Sequence, residues 1–227
     1  SDLSGLADGT AVRSWPNAIL GASDAISSPD KPAPLKVTDS RTGNPLILFD
    51  GIGSRLSLPD LALPHDFTAF FALRVDPQQA SVGPKASVWR PLLISRKDPF
   101  LQKGADGYAF TFSRPGDDAF SLCLHNGQKV ERTETPVKSS GRIELVVIRK
   151  MGQKVTFFRG GTRVTEAILT RPVSLPLTTG YTLGGSGGNR FFRGALAELA
   201  IFSRALDNET LSAWSDEMMT RWQIKPI

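Results

Sequence analysis

The chain of 227 residues contains one cysteine, Cys123, and two histidines, His65 and His125. A single cysteine excludes an intrachain disulfide. Cys123 alternates with apolar residues in the segment 120–124, so we interpret it as a buried free thiol. The alternative is a catalytic thiol paired with His125, two residues away on the same face of a strand, or with His65. Two histidines also leave little scope for imidazole proton transfer.

Long apolar runs and charge runs are also missing. No stretch approaches the 18 apolar residues of a membrane-spanning helix, and no run of five or six Lys or Arg occurs. The net charge of +5 is spread along the chain. Such diffuse charge permits attraction to acidic polysaccharide, anionic surfaces or nucleic acid, but it is also typical of a solvated surface. We find no nucleic-acid-binding motif.

Gly and Pro are abundant, with 21 and 16 residues. They punctuate about eleven short apolar or alternating segments, which predicts an antiparallel two-sheet sandwich in one domain, 1–227. Asn126-Gly127 and the segment 150–153 predict hairpin turns. Ala22–Pro34 is predicted to be a surface loop. The clearest strands are Pro45–Phe49, Phe67–Val75, Gly107–Ser113, Phe120–His125, Gly141–Arg149, Lys154–Arg159 and Gly194–Phe202.

One helix is predicted at the end of the chain. Asp207 or Asn208 can cap it, and an apolar stripe follows at helical spacing. We expect this stripe to dock onto the edge of the protein's own sheet, with a partner-binding face as the alternative. The stripe consists of Leu211, Trp214, Met218 and Trp222.

Three segments resemble a known family. They are the Asp8-Gly9 opening with Trp15, the Phe49-Asp50-Gly51 turn, and the closing segment Tyr181–Trp222, in which a glycine loop leads to an apolar strand and a helix. Together they resemble laminin-G-like, concanavalin A-like domains. The resemblance implies an all-β, jelly-roll fold and a role in carbohydrate or protein recognition. It also implies possible calcium binding, with Asp50, Asp98 and Asp106 as candidate oxygen ligands. Local turn stabilisation is the other interpretation of Asp50.

Catalytic residues are not assigned. Glycosidases of this fold carry paired carboxylates on one strand, spaced to flank the scissile bond. This sequence offers a single strand carboxylate, Glu198, which we expect to be a hydrogen-bonded sheet residue. Metal, P-loop and lyase motifs are also missing from the sequence. A hydrolase or lyase with an unrecognised site stays open as an alternative, as does a structural or protein-binding module.

The best binding hypothesis uses two basic loops with aromatic residues. Aromatic faces stack on sugars, and guanidinium, amide and carboxylate groups satisfy hydroxyls. If the loops meet at one end, they form a site for a glycan, with a preference for an acidic one. We expect a module cut from a larger extracellular or cell-surface protein. The candidate ligand-binding residues are Arg96, Lys97, Asp98, Phe100, Lys103, Asn189, Arg190 and Phe191.

Overall fold

A computed structural model provides the fold. It describes residues 3–18, 22–76, 90–95, 106–112, 119–126, 130–137, 141–170, 179–186 and 190–226; for residues 106, 125, 126 and 179 it describes the backbone alone. The described residues form two antiparallel sheets and one C-terminal helix, which confirms the predicted sandwich.

The first sheet has eight described strands in the order β1-β2-β5-β14-β7-β8-β9-β10. These are β1 (Ser14–Trp15), β2 (Ala25–Ile26), β5 (Leu56–Ala62), β14 (Thr179–Leu183), β7 (Arg90–Ser95), β8 (Asp106–Phe112), β9 (Ala119–Asn126) and β10 (Val130–Pro136).

The second sheet has seven described strands in the order β13-β12-β11-β6-β15-β4-β3. These are β13 (Thr162–Ile168), β12 (Lys154–Arg159), β11 (Glu144–Met151), β6 (Phe67–Val75), β15 (Arg193–Phe202), β4 (Pro45–Asp50) and β3 (Leu35–Thr38).

Both predicted hairpins are present, since β9 pairs with β10 and β11 pairs with β12. The prediction of a plain loop over Ala22–Pro34 is wrong in one respect, because Ala25–Ile26 forms strand β2 between β1 and β5. Two residues are too few to produce an alternating pattern. The short strands β1 and β3 and the polar strand β13 were missed for related reasons.

Strand β6 is the middle strand of the seven-stranded sheet and is buried on both faces. Phe67, Phe71 and Leu73 point into the core between the sheets, whereas Phe70 and Ala72 belong to a second apolar cluster on the outer face. This explains its nearly continuous apolar sequence, which an antiparallel strand with one solvated face would not have.

The helix α1 (Asn208–Trp222) covers that outer face. Its buried residues include Leu211, Met218 and Trp222, and Trp214 contacts the ring of Phe70. Docking on the protein's own sheet is confirmed, but the expected location was wrong: the helix lies on the face over β6 and β11, and not at a sheet edge. The reason is that the outer apolar cluster is centred on the inner strands.

Two hydrogen-bonded sites hold the ends of α1. At the N-terminus, Asp207 is the cap, and its carboxylate accepts from the backbone N–H of Thr210 at 2.8 Å. Near the C-terminus, Glu198 of β15 accepts from Arg221 Nη1 at 2.7 Å and from Trp222 Nε1 at 2.8 Å. Glu198 is therefore a hydrogen-bonded sheet residue, as predicted, and it anchors the helix.

We predict that Trp222→Phe lowers the free energy of unfolding by about 1 kcal/mol more than Trp214→Phe does. Both changes remove an indole, but only the first removes the hydrogen bond to a partly buried Glu198 oxygen. Urea unfolding followed by circular dichroism measures the difference. Equal destabilisation in the two variants would show that the Trp222–Glu198 bond does not hold the helix.

Candidate functional site

The described part of the predicted site is Arg190 and Phe191, which lie in the loop between β14 and β15. Arg96, Lys97, Asp98, Phe100, Lys103 and Asn189 lie outside the described residues. Strand register nevertheless fixes where the two loops begin. Tyr181 pairs with Ser95, and Leu183 pairs with Leu93, so β14 and β7 run in opposite directions. The loop that follows Ser95 and the loop that follows Leu183 therefore start at opposite ends of the sheet.

The loop after Leu183 folds back on itself. Phe192 N–H donates to the carbonyl of Gly184 at 2.9 Å, and Ser186 N–H donates to that of Arg190 at 2.9 Å. The structure separates the two adjacent phenylalanines. Phe192 is fully buried against Phe49 and Phe112, whereas Phe191 is half-buried beside Gly185. Phe192 thus anchors the loop in the core, and Phe191 stays partly accessible.

The turn after β4 packs against this loop. One oxygen of Asp50, Oδ1, accepts from the backbone N–H groups of Ile52, Gly53 and Ser54 at 2.8–3.0 Å and from Ser54 Oγ at 2.8 Å. Burial opposes ionisation of Asp50, but these hydrogen bonds outweigh it and lower the pKa of the carboxyl. The interpretation of Asp50 as a turn-stabilising residue is confirmed.

Arginine side chains surround the loop and the turn. Arg55 donates to the carbonyl of Ser186 at 3.0 Å, and Arg193 Nε donates to Asp76 Oδ2 at 2.9 Å. Burial, followed by repulsion from Arg193, lowers the pKa of Arg90. We call this end of the sandwich the arginine rim; it consists of Asp50, Arg55, Asp76, Arg90, Arg190, Phe191 and Arg193.

Sequence reasoning missed Arg55, Arg90 and Asp76 of the arginine rim. Arg90 precedes the apolar strand segment 91–94, and Arg55 precedes β5, so each is an isolated cation beside an apolar run. The sequence does not indicate that these residues lie close together. The turn 50–54 and strand β15 belong to one sheet and β7 to the other, so they meet only when the two sheets pack together. Arg90 is buried, and Asp76 pairs with Arg193.

The structure does not bring Asp50 and Asp106 together. Asp50 lies at the arginine rim, since it pairs with Arg193, whereas Asp106 begins β8 at the opposite end, beyond Ile94 and its partner Ala109. Asp98 lies outside the described residues. Among the residues that the structure describes, no group of three His, Cys, Asp or Glu side chains is arranged to hold a metal ion.

Cys123 is buried on the outer face of the eight-stranded sheet beside Ile94 and Ala109. Its Sγ lies 3.7 Å from Thr111 Oγ1. Burial raises the pKa of the thiol to about 11, against the opposing effects of Thr111 and Arg132. Its burial confirms the structural interpretation. The side chain of His125 is not described, and the thiolate that a nucleophile requires is scarce at neutral pH.

We predict that Cys123 reacts with a thiol reagent at neutral pH only at the rate of unfolding. Its raised pKa keeps the neutral thiol, and burial excludes the reagent. Absorbance of the released thiolate from Ellman's reagent, measured with and without guanidinium chloride, checks this. Fast reaction in the native protein, at the rate of the unfolded chain, would contradict it.

We predict that Gly184→Ala destabilises the fold by about 3 kcal/mol. The backbone φ of Gly184 is +91°, and an added Cβ would lie 2.2 Å from Phe49 Cδ1. Gly141→Ala is the matched control, because φ is +68° there but nothing lies within 4 Å of the added Cβ. Thermal unfolding should show a loss of about 1 kcal/mol for that control. Equal losses would mean that the contact with Phe49 imposes no constraint.

Comparison with solved structures identifies similar folds. Domain 4 of AbnA, a GH43 extracellular arabinanase from Geobacillus stearothermophilus solved in complex with arabinotriose, matches with a TM-score of 0.58 and 13% identity over 81% of each chain. The binding domain of botulinum neurotoxin serotype D matches with a TM-score of 0.62 and 11% identity, over 81% of this chain and 45% of the toxin chain.

A native heptameric SAP-like pentraxin from Limulus polyphemus matches with a TM-score of 0.53 and 14% identity, over 75% of this chain and 81% of the pentraxin. At these identities the likeness concerns the fold alone. No curated protein matches the sequence. Residues 50–212, well over half of the chain, match the family described as the concanavalin A-like lectin/glucanases superfamily, laminin-G type. The chain therefore belongs to this laminin-G-like family of concanavalin A-like domains, as its sequence motifs and its two-sheet sandwich both indicate.

Proposed function

We propose that this domain is a non-catalytic recognition module that binds carbohydrate, with a preference for acidic glycans. The observation that carries the proposal is the arginine rim, where Arg55, Arg193 and the loop with Arg190 and the half-buried ring of Phe191 lie at one end of the sandwich. A sugar carboxylate or sulfate would accept charge-assisted hydrogen bonds from guanidinium groups of the arginine rim. The ring of Phe191 supplies a face for the C–H surface of a sugar.

The arginine rim is suited to binding because contacts with the core and hydrogen bonds within its turn hold its backbone in place. Phe192 is fixed in the core, Asp50 closes its turn with four hydrogen bonds, and Arg55 joins that turn to the carbonyl of Ser186. Binding groups on a pre-organised loop lose less entropy on association than those on an unrestrained one. The side chains of Arg190 and Phe191 are carried on this frame.

Two candidate catalytic residues have structural uses instead. Both oxygens of Glu198 accept hydrogen bonds from the helix, and Cys123 is a buried thiol with a raised pKa. These assignments favour recognition over hydrolysis. The arabinanase domain that shares the fold was solved with a bound sugar, arabinotriose, which supports the same class of ligand.

We further propose that the domain is part of a larger extracellular or cell-surface protein, as the arabinanase domain is part of an extracellular enzyme. Among the described residues, no helix has the length and apolar character needed to cross a membrane. The loop with Arg96, Lys97, Phe100 and Lys103 is proposed as a separate contact region, because it starts at the end of the sheet opposite to the arginine rim. Calcium binding through Asp50, Asp98 or Asp106 stays a proposal.

A glycan array tests the function. We expect the purified domain to bind uronic-acid or sulfated glycans, and binding should weaken between low and high salt because exposed charges are screened. Arg190→Ala and Phe191→Ala should each reduce affinity at least ~10-fold. Arg163→Ala on β13 is the control, since it removes an exposed cation remote from the rim. Arabino-oligosaccharides serve as a neutral comparison.

The outcomes of this screen separate the alternatives. Loss of binding in Phe100→Ala but not in Arg190→Ala would move the site to the loop after Ser95. A requirement for millimolar calcium would support an ion at the aspartates. Shortened glycans after incubation would instead indicate a hydrolase or lyase. Absence of binding under all conditions would overturn the carbohydrate proposal and favour a structural or protein-binding module.

A further inference from the structure

A cavity of about 240 Å³ lies on the second sheet beside the C-terminal end of α1, and no residue of the arginine rim lines it. Residues from the turn before β4, the start of β11, the end of β12 and the segment after the helix line it. Its lining includes four cationic side chains and one anionic side chain, Glu144. The cations are Arg41, Arg142, Arg159 and Lys225.

The contacts of Arg41 and Arg159 fix the positions of these two cations. Arg41 Nη2 donates to the carbonyl of Gln223, the left-handed cap residue that ends α1, at 2.6 Å. Arg159 Nη2 donates to Glu144 Oε2 at 2.6 Å, and both side chains of this ion pair are largely buried. With four cationic residues and one anionic residue, the positive charge of the lining exceeds the negative charge.

Arg159 also has unused hydrogen-bonding capacity. Its Nε is buried and has no hydrogen-bond partner among the residues that the structure describes. A buried donor without an acceptor is costly, and a protein retains such a group where a ligand or an ordered water satisfies it. The Arg159 guanidinium lies against a cavity that also receives Arg142 and Lys225. Planar guanidinium groups recognise carboxylate, sulfate and phosphate in particular.

We infer that this cavity binds one small anion, a carboxylate, sulfate or phosphate group, either free or carried on a sugar. Its volume lies below that of drug-sized pockets, so a single charged group or a single acidic monosaccharide fits and a long chain does not. Ile143, Leu145 and Ile224 supply the apolar part of the lining. Bound anion would join the end of the helix to strands β11 and β12 through Lys225, Arg142 and Arg159.

Isothermal titration calorimetry of the full chain tests this inference, with sodium sulfate, sodium phosphate and glucuronate as probes and glucose as the neutral control. We expect one anion per chain. The double variant Arg142→Gln, Lys225→Gln should bind it at least ~10-fold more weakly, since two charged contacts are lost. Arg159 is left intact because its removal would expose Glu144 as an unpaired, largely buried charge.

The matched control is Lys154→Gln, Arg163→Gln. It removes the same net charge from β12 and β13, where both cations pair with Glu166. Its affinity should change about twofold or less, because exposed charge at a distance is screened. Binding of sulfate and phosphate but not glucuronate would identify a free anion as the ligand, and tighter binding of glucuronate would identify a sugar-borne carboxylate.

Two results would overturn the inference. If both double variants lose the same affinity for the anion, then the overall positive charge of the protein attracts it, and not a specific site. Absence of binding, together with a lower melting temperature of the Arg142→Gln, Lys225→Gln variant, would mean that these cations only stabilise the C-terminal end of the helix. Arg190→Ala at the arginine rim should leave anion binding in the cavity unchanged, so this test and the glycan screen succeed or fail separately.

Discussion

Burial of both faces of strand β6 is the constraint on which this molecule depends. Phe71 and Leu73 fill the space between the sheets, and Phe70 and Ala72 face the other way. A sandwich strand ordinarily leaves its outer face in water, so the second apolar face requires a cover. Helix α1 is that cover, and it must end where Glu198 can accept from Arg221 and Trp222. The terminal segment is therefore part of the core.

This constraint also decides where binding chemistry can lie. The outer face of the seven-stranded sheet is occupied by the helix, and the one carboxylate in the middle of β15 is used to hold it. Both cationic regions, the arginine rim and the cavity beside Gln223, lie where strands end.

Much of the fold could be predicted from the sequence, because alternation and turn residues are local signals. The pairing of β9 with β10, a helix cap at Asp207 (one of two candidates) and the central strand Phe67–Val75 all follow from such signals and are confirmed. The two-residue strands and the polar strand β13 show no alternating hydrophobic pattern, so the sequence does not predict them. The helix was placed at a sheet edge because the sequence does not tell which strands share an outer face.

The candidate site could be predicted only in part, for a physical reason. Arg190 and Phe191 follow a glycine loop and are visible as a basic and aromatic pair, whereas Arg90 and Arg193 become neighbours only when the two sheets close. A net charge of +5 spread along the chain resembles a solvated surface when it is read residue by residue. Folding gathers part of that charge at two places and satisfies some of it with Asp76 and Glu144. Because cations held close together repel, an anion bound at either place would raise stability, and this would link the proposed recognition to the stability of the fold.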